Sequence, residues 1–185
     1  MDITQLIMDE HNEQRRLFAQ IDDIDPKDTE ALSAIWTRLK NLLDAHAEAE
    51  ERFFYPRLME IGKGGNDAPS AEEETEDAID DHNDIRDTGE EVGKHKVGSP
   101  AWFDAVGKCN KANSDHLAEE ERQGITDFRK NATLQERHDL GVQFAAFEAK
   151  HLEGIRVVDK DVDEYLDDPR GYMKEHAPDM EKGAV

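Results

Sequence analysis

Six residues of this chain have the types and the spacing to grip a pair of metal ions: His11, His46, Glu50, His82, His116 and Glu120. They fall in a repeat. Residues 9–15 read Asp-Glu-His-Asn-Glu-Gln-Arg, and residues 80–86 read Asp-Asp-His-Asn-Asp-Ile-Arg. Residues 46–52 read His-Ala-Glu-Ala-Glu-Glu-Arg, and residues 116–122 read His-Leu-Ala-Glu-Glu-Glu-Arg. His46 follows His11 by 35 residues and His116 follows His82 by 34, so a helical hairpin is used twice. Each copy carries one histidine on its first helix and His-x-x-x-Glu on its second. Residues four apart share a helix face, with Cβ atoms about 5–6 Å apart. His46 and Glu50 can therefore reach one point, as can His116 and Glu120 from the other hairpin. A single seam histidine is most often a hydrogen-bonded core residue. Six such groups at matching depths, two of them carboxylates, would be a heavy destabilisation without a cation, because each buried unpaired charge costs several kcal/mol.

The donors are imidazole nitrogen and carboxylate oxygen without thiolate, which suits iron or manganese better than a structural zinc. Iron is the expected metal. Carboxylates on facing helices are how bundles build dinuclear centres. Six protein ligands shared by two ions leave positions open to water, O2, peroxide or NO.

Helices must position these groups. The apolar periodicity predicts a first helix over about Asp2–Asp23, with Ile3, Ile7, Phe18 and Ile21 on its seam. A second starts near Asp28 or Thr29 and carries Ile35, Leu39, Leu42, His46, Glu50 and Phe53 until Pro56 kinks or ends it. Gly62–Pro69 reads as a loop. Ser70 with Glu73 three positions on opens a third helix bearing His82. Ser99-Pro100 opens a fourth, with Trp102, Val106, Cys109, His116 and Glu120 on its seam. A fifth helix is expected over about 134–158. The expected fold is all-α: an antiparallel up-down four-helix bundle over residues 1–130, an additional C-terminal helix packed on it within 131–168, and a loose tail over 169–185.

The formal net charge of −22 repels phosphate backbones, so no nucleic-acid partner is expected. No apolar run is long enough for a membrane span, and the N-terminus lacks the basic and apolar regions of a signal peptide. Cys109 is the one cysteine, which excludes an internal disulfide and points to a cytoplasmic location.

The six-residue pattern, with the run His46-x-x-x-Glu50-Glu51 followed by Tyr55-Pro56, resembles the hemerythrin-like, or HHE cation-binding, family over roughly residues 1–130. The resemblance implies a four-helix bundle holding two iron ions bridged by oxo or hydroxo. It also implies a role in carrying O2, in sensing iron or oxygen, or in consuming peroxide or acting on NO. The chain departs from the oxygen-carrier branch, which has His-x-x-x-His on the third helix. Here Arg86 stands four residues after His82 and Ala78 four before. Arg86 is then a candidate to hydrogen-bond a bound anion or peroxide, or to form a salt bridge with an acidic neighbour. His151 and Tyr55 are candidates for the vacated ligand position, although an ideal α-helix puts Tyr55 about 140° around from Glu50. A ferritin-like oxidase would need two Glu-x-x-His motifs, and only Glu148-x-x-His151 is present.

The leading functional expectation is catalase-like dismutation of hydrogen peroxide in oxidative-stress defence. The alternatives are non-catalytic binding of O2 or NO, iron or redox sensing, and dinuclear iron storage.

Overall fold

The structure, a computed structural model, describes residues 1–64 and 70–176, and these are helical with no strand among them. α1 (Ile3–Asp23), α2 (Thr29–Ala49), α4 (Ala71–Val92) and α5 (Pro100–Arg122) are the long elements, and α3 (Tyr55–Ile61) prolongs α2. Their N-termini are closed by the side chains foreseen from the sequence or by close neighbours. Asp2 accepts from Thr4 N–H, Asp28 from Ala31, Ser70 from Glu73 and Ser99 from Trp102. Each satisfies a donor that the first helical turn leaves without a partner.

α1 packs on α2, α4 on α5, α1 on α5 and α2 on α4, closing a ring of four helices. Inside the ring the buried apolar residues form two clusters. One gathers Leu17, Phe18, Ile21, Leu39, Leu43, Ile85, Trp102 and Val106. The other gathers Ile3, Ile7, Phe54, Tyr55, Leu58, Ile79, Phe128 and Phe144. Along α1, α2 and α4 the seam histidine falls between residues of the two clusters, as His11 does between Ile7 and Leu17, and His116 lies between Cys109 of one and Ile125 of the other, just past α5. A polar layer thus divides the core.

The helical run begun by α2 does not end at Pro56. Glu50–Phe54 form one wide turn in which the Tyr55 N–H donates to the Glu50 carbonyl, an i→i+5 bond, and helix resumes to Ile61. A proline ring would collide with the carbonyl four residues back in a regular α-helix. Widening the turn before Pro56 relieves that collision without breaking the run.

The segment after α5 is more ordered than expected. α6 (Gly124–Asn131) follows α5 almost at once and buries Ile125 and Phe128. α7 (Leu134–Lys150) has a full capping box of Thr133 and Glu136 and packs on α1 and α2. It stops at 150 rather than near 158. The chain reverses at Gly154, whose φ of 106° suits glycine and whose missing Cβ leaves room for Asn41. α8 (Val162–Asp167) lies on α4, and α9 (Pro169–His176) lies on the wide turn. Residues 169–176 are therefore helix, not loose tail, because Tyr172 and Met173 are buried against the bundle. Residues 177–185, and 65–69 of the predicted loop, lie outside the described residues.

Candidate metal centre

The structure brings the six predicted residues together. His11, His46, Glu50, His82, His116 and Glu120 are each at most 5% exposed. The ligand atoms of His11, His46 and Glu50 converge within 4.8 Å of one another, as do those of Glu50, His82 and His116. Glu50 belongs to both groups. Its Oε1 lies 3.0 Å from His46 Nε2 and 4.0 Å from His11 Nε2, and its Oε2 lies 3.4 Å from His82 Nε2. Glu120 Oε2 is 3.2 Å from His11 Nε2.

Each imidazole points Nε2 inward and meets a carboxylate at Nδ1. His11 meets Glu121 at 3.0 Å, His46 meets Glu10 at 2.8 Å, His82 meets Glu51 at 2.9 Å, and His116 meets Asp81 at 3.4 Å. An ionised carboxylate only accepts, so Nδ1 is the nitrogen that keeps a proton, and Nε2 is the one that can offer its lone pair to a cation at the centre. These four carboxylates were not singled out from sequence, yet the repeat contains them. Glu10 and Asp81 immediately precede His11 and His82, and each serves the second histidine of its own hairpin. Glu51 and Glu121 immediately follow Glu50 and Glu120, and each serves the first histidine of the other hairpin.

The inward-facing atoms fit a cation. His11 Nε2, His46 Nε2, both oxygens of Glu50 and Oε2 of Glu120 are buried without a hydrogen-bond partner. His82 Nε2 and His116 Nε2 face each other at 3.1 Å. Two lone pairs at that distance repel unless positive charge lies between or upon them. The electrostatics report the same demand. Burial opposes charge on His46, yet Glu50 and Glu10 outweigh it and hold the imidazole well above its ordinary value. Burial is likewise outweighed at His82 by Glu50 and Glu51, and at His11 by Glu120 and Glu121. Glu50, despite burial, is held well below the usual carboxylate range by His46 and His82. Carboxylate oxygens and imidazole nitrogens gathered this way are a donor set able to hold a metal ion.

The other sequence candidates fall elsewhere. Arg86 is buried but committed: its Nη2 lies 2.5 Å from Glu51 Oε1, the oxygen that also meets His82. That is the salt-bridge alternative. His151 is not among the converging groups. It caps α7, with Nδ1 2.7 Å from the Phe147 carbonyl. It lines a separate cavity of ≈ 230 Å³ with Glu10 and Glu148. Burial and the neighbouring Glu10 push the Glu148 carboxyl up to about 10.

Tyr55 does reach the site. Its hydroxyl donates to Glu120 Oε1 at 2.5 Å, and burial together with Glu120 keeps the phenol well above its ordinary value, so it remains a donor. The expected 140° offset fails because the i→i+5 turn brings Tyr55 round to the face of Glu50. Tyr55, Glu120 and His116 also line a cleft of ≈ 20 Å³ edged by Glu74, Asp77, Asp81 and Glu119.

The hemerythrin HHE cation-binding domain matches residues 2–125, and the chain belongs to that family. A curated relative, a protein named DNA nickase from Nostoc sp. (strain PCC 7120 / SAG 25.82 / UTEX 2576), is 24% identical over 151 residues. The match takes in 81% of this chain but 40% of that relative's length. No solved structure matches the chain. Membership of the family makes this a cation-binding protein. No helix among the described residues is long and apolar enough to cross a membrane.

Proposed function

We propose that the four long helices form an up-down antiparallel bundle within residues 1–130 that holds two iron ions, and that the loaded protein disproportionates hydrogen peroxide. The observation that carries the dinuclear reading is the shared carboxylate Glu50, set between two histidine pairs whose Nδ1 atoms are all engaged by carboxylates. His11 and His46 would hold one ion and His82 and His116 the other, with Glu50 and Glu120 between them. Two irons, when bound, supply the electron exchange by which one peroxide is oxidised to O2 and a second is reduced to water.

The protein's own part is access and proton placement. The cleft beside His116 and Glu120 has room for about one water-sized molecule. Its rim of Glu74, Asp77, Asp81 and Glu119 repels anions, so a small neutral molecule such as peroxide enters and superoxide does not. Tyr55 holds a proton against Glu120 at the inner end of that cleft. Among the described residues no further histidine converges on the centre beside His82, where the oxygen carriers have a second one, which supports a reactive rather than a carrying role. The name of the nickase describes that longer protein, and the −22 charge of this chain disfavours a nucleic-acid partner.

Metal analysis, followed by oxygen-electrode traces after adding peroxide, tests the reading. About two irons per chain with prompt O2 release is the expected result. Two irons without O2 release moves the function to reversible binding of O2 or NO, or to sensing. No iron after anaerobic loading overturns the dinuclear reading.

A further inference from the structure

Lys160 is a cation where a globular protein rarely places one. It is 4% exposed and comes from the irregular segment between α7 and α8, beyond the residues matched by the family. Its Nζ lies 2.9 Å from Glu48 Oε2, 3.3 Å from Glu51 Oε2 and 2.9 Å from the Val158 carbonyl. Its backbone is clasped on both sides by Asn83, the residue after His82. The Asn83 amide oxygen accepts from Lys160 N–H at 2.8 Å, and its NH2 donates to the Lys160 carbonyl at 2.9 Å. Further along, the Tyr165 hydroxyl donates to the Glu51 carbonyl at 2.7 Å, and the Tyr172 hydroxyl accepts from Asp161 N–H at 2.9 Å.

Every one of these contacts fastens the segment to the end of α2 and the wide turn after it, to the helix of His82, or to itself. The repeat shows that the fastening is one-sided. The counterpart of Asn83 is Asn12, whose side chain merely donates to the Met8 carbonyl in its own helix. The counterpart of Glu48 is Ala118, which offers no second carboxylate. Glu51 is fully buried between Arg86 and Lys160, whereas the Glu121 side chain is 24% exposed and has Arg15, itself 42% exposed, as its cation.

We propose that Lys160 is a positioning residue for the metal centre: with Asn83 and Tyr165 it straps Glu51 in place behind His82 and so makes the His82/His116 metal position the slowly exchanging one of the two. A buried carboxylate locked by two cations cannot swing away from His82 Nδ1, so the imidazole stays aimed. Outer carboxylates of this kind typically change metal affinity 10–100-fold when removed. Behind the opposite position Glu121, the counterpart of Glu51, is 24% exposed; the second carboxylates, Glu10 there and Asp81 behind His116, both reach solvent, so the difference between the two positions lies in Glu51. The inference rests on the dinuclear reading above.

The test loads the full chain anaerobically with Fe(II), counts bound iron, and follows its release to a coloured chelator. The wild type is expected to release iron in two phases of equal size. Lys160→Met is expected to speed the slow phase about 10-fold or more and to leave the fast phase unchanged. Tyr165→Phe, which loosens the same strap without removing a charge, should move the same phase by less. It keeps the inference testable if Lys160→Met folds poorly, and thermal melts of the metal-free proteins report that. Equal acceleration of both phases, or none in either variant, overturns the strap while leaving the dinuclear site standing. A single release phase in the wild type also overturns it. A wild type that takes up no iron overturns the dinuclear reading and the strap with it.

Discussion

Each hairpin contributes two histidines and one glutamate to the centre, but the two surround it differently. On the His82 side the supporting carboxylate is sealed by Arg86, Lys160 and the helices that follow residue 160. On the His11 side it reaches solvent with Arg15. Duplication made the ligands alike, and the C-terminal segment, which locks Glu51 behind His82 while Glu121 behind His11 pairs with the exposed Arg15, made their support unlike. A buried ion pair loses far more than an exposed one when a partner is removed, so identical substitutions in the two halves have unequal consequences.

The largest expected effect concerns the one carboxylate that belongs to both halves. Among the described residues Glu50 is the one carboxylate seen to meet histidines of both pairs, and in Glu50→Ala metal content is expected to fall from about two ions to less than one. Glu120→Ala removes a group seen close to His11 alone. It should leave the His82/His116 position filled, with about one ion retained. Metal analysis of both variants checks this, and equal losses would erase the distinction between shared and one-sided carboxylate.

Next in size is the pair Glu51→Gln and Glu121→Gln, compared as metal-free proteins so that lost metal binding does not enter. Glu51→Gln takes the buried ion-pair partner from Arg86 and leaves Lys160 with Glu48 alone, and is expected to cost about 3–5 kcal/mol. Glu121→Gln loosens a partly exposed pair and should cost about 1 kcal/mol or less. Urea titrations of the two variants against the wild type read the difference. Similar costs would mean that the two halves are supported alike.

Much of this asymmetry lay hidden in a sequence whose symmetry was plain. The long helices and their capping residues could be read because apolar steps of three and four and the Asp, Ser and Thr caps are local signals. The six central residues could be read because buried carboxylates and histidines at repeated depth have no other easy explanation. The carboxylates behind the histidines were also written in the repeat, at the positions flanking His11, Glu50, His82 and Glu120. They escaped notice because adjacent residues on one helix point apart, and each serves a histidine on a different helix. Tyr55 was misplaced because an i→i+5 turn carries no sequence signature beyond the proline after it. Lys160 was invisible for a different reason: its partners Glu48, Glu51 and Asn83 lie at least 77 positions away, and nothing local marks a lysine for burial.

The smallest effect concerns the other cover. α7 lies over the first hairpin, where Phe144 stands edge-on to the His46 ring with centroids 6.1 Å apart. Its start is held by Glu136, which accepts from the Thr133 N–H and hydroxyl and pairs with Arg57 of α3. Thr133, and after it Arg57, hold the Glu136 carboxyl at about 2 against an ordinary 4.5. A depressed folded-state value means that the stabilisation is complete above the ordinary value and is lost as pH falls from there toward about 2. The stability difference between wild type and Glu136→Gln should therefore be constant from neutral pH down to about 5 and then shrink steadily as the solution is acidified. The strap over the wide turn and α4 begins with buried ions rather than a surface cap, so α7 is the cover that should loosen first when the cap is removed. Hydrogen exchange on Glu136→Gln at neutral pH is expected to show faster exchange in the first turns of α7 and unchanged protection in α8 and α9. Faster exchange spread equally over all three helices would mean that the two covers are one cooperative unit, and that the halves of the centre share a single support.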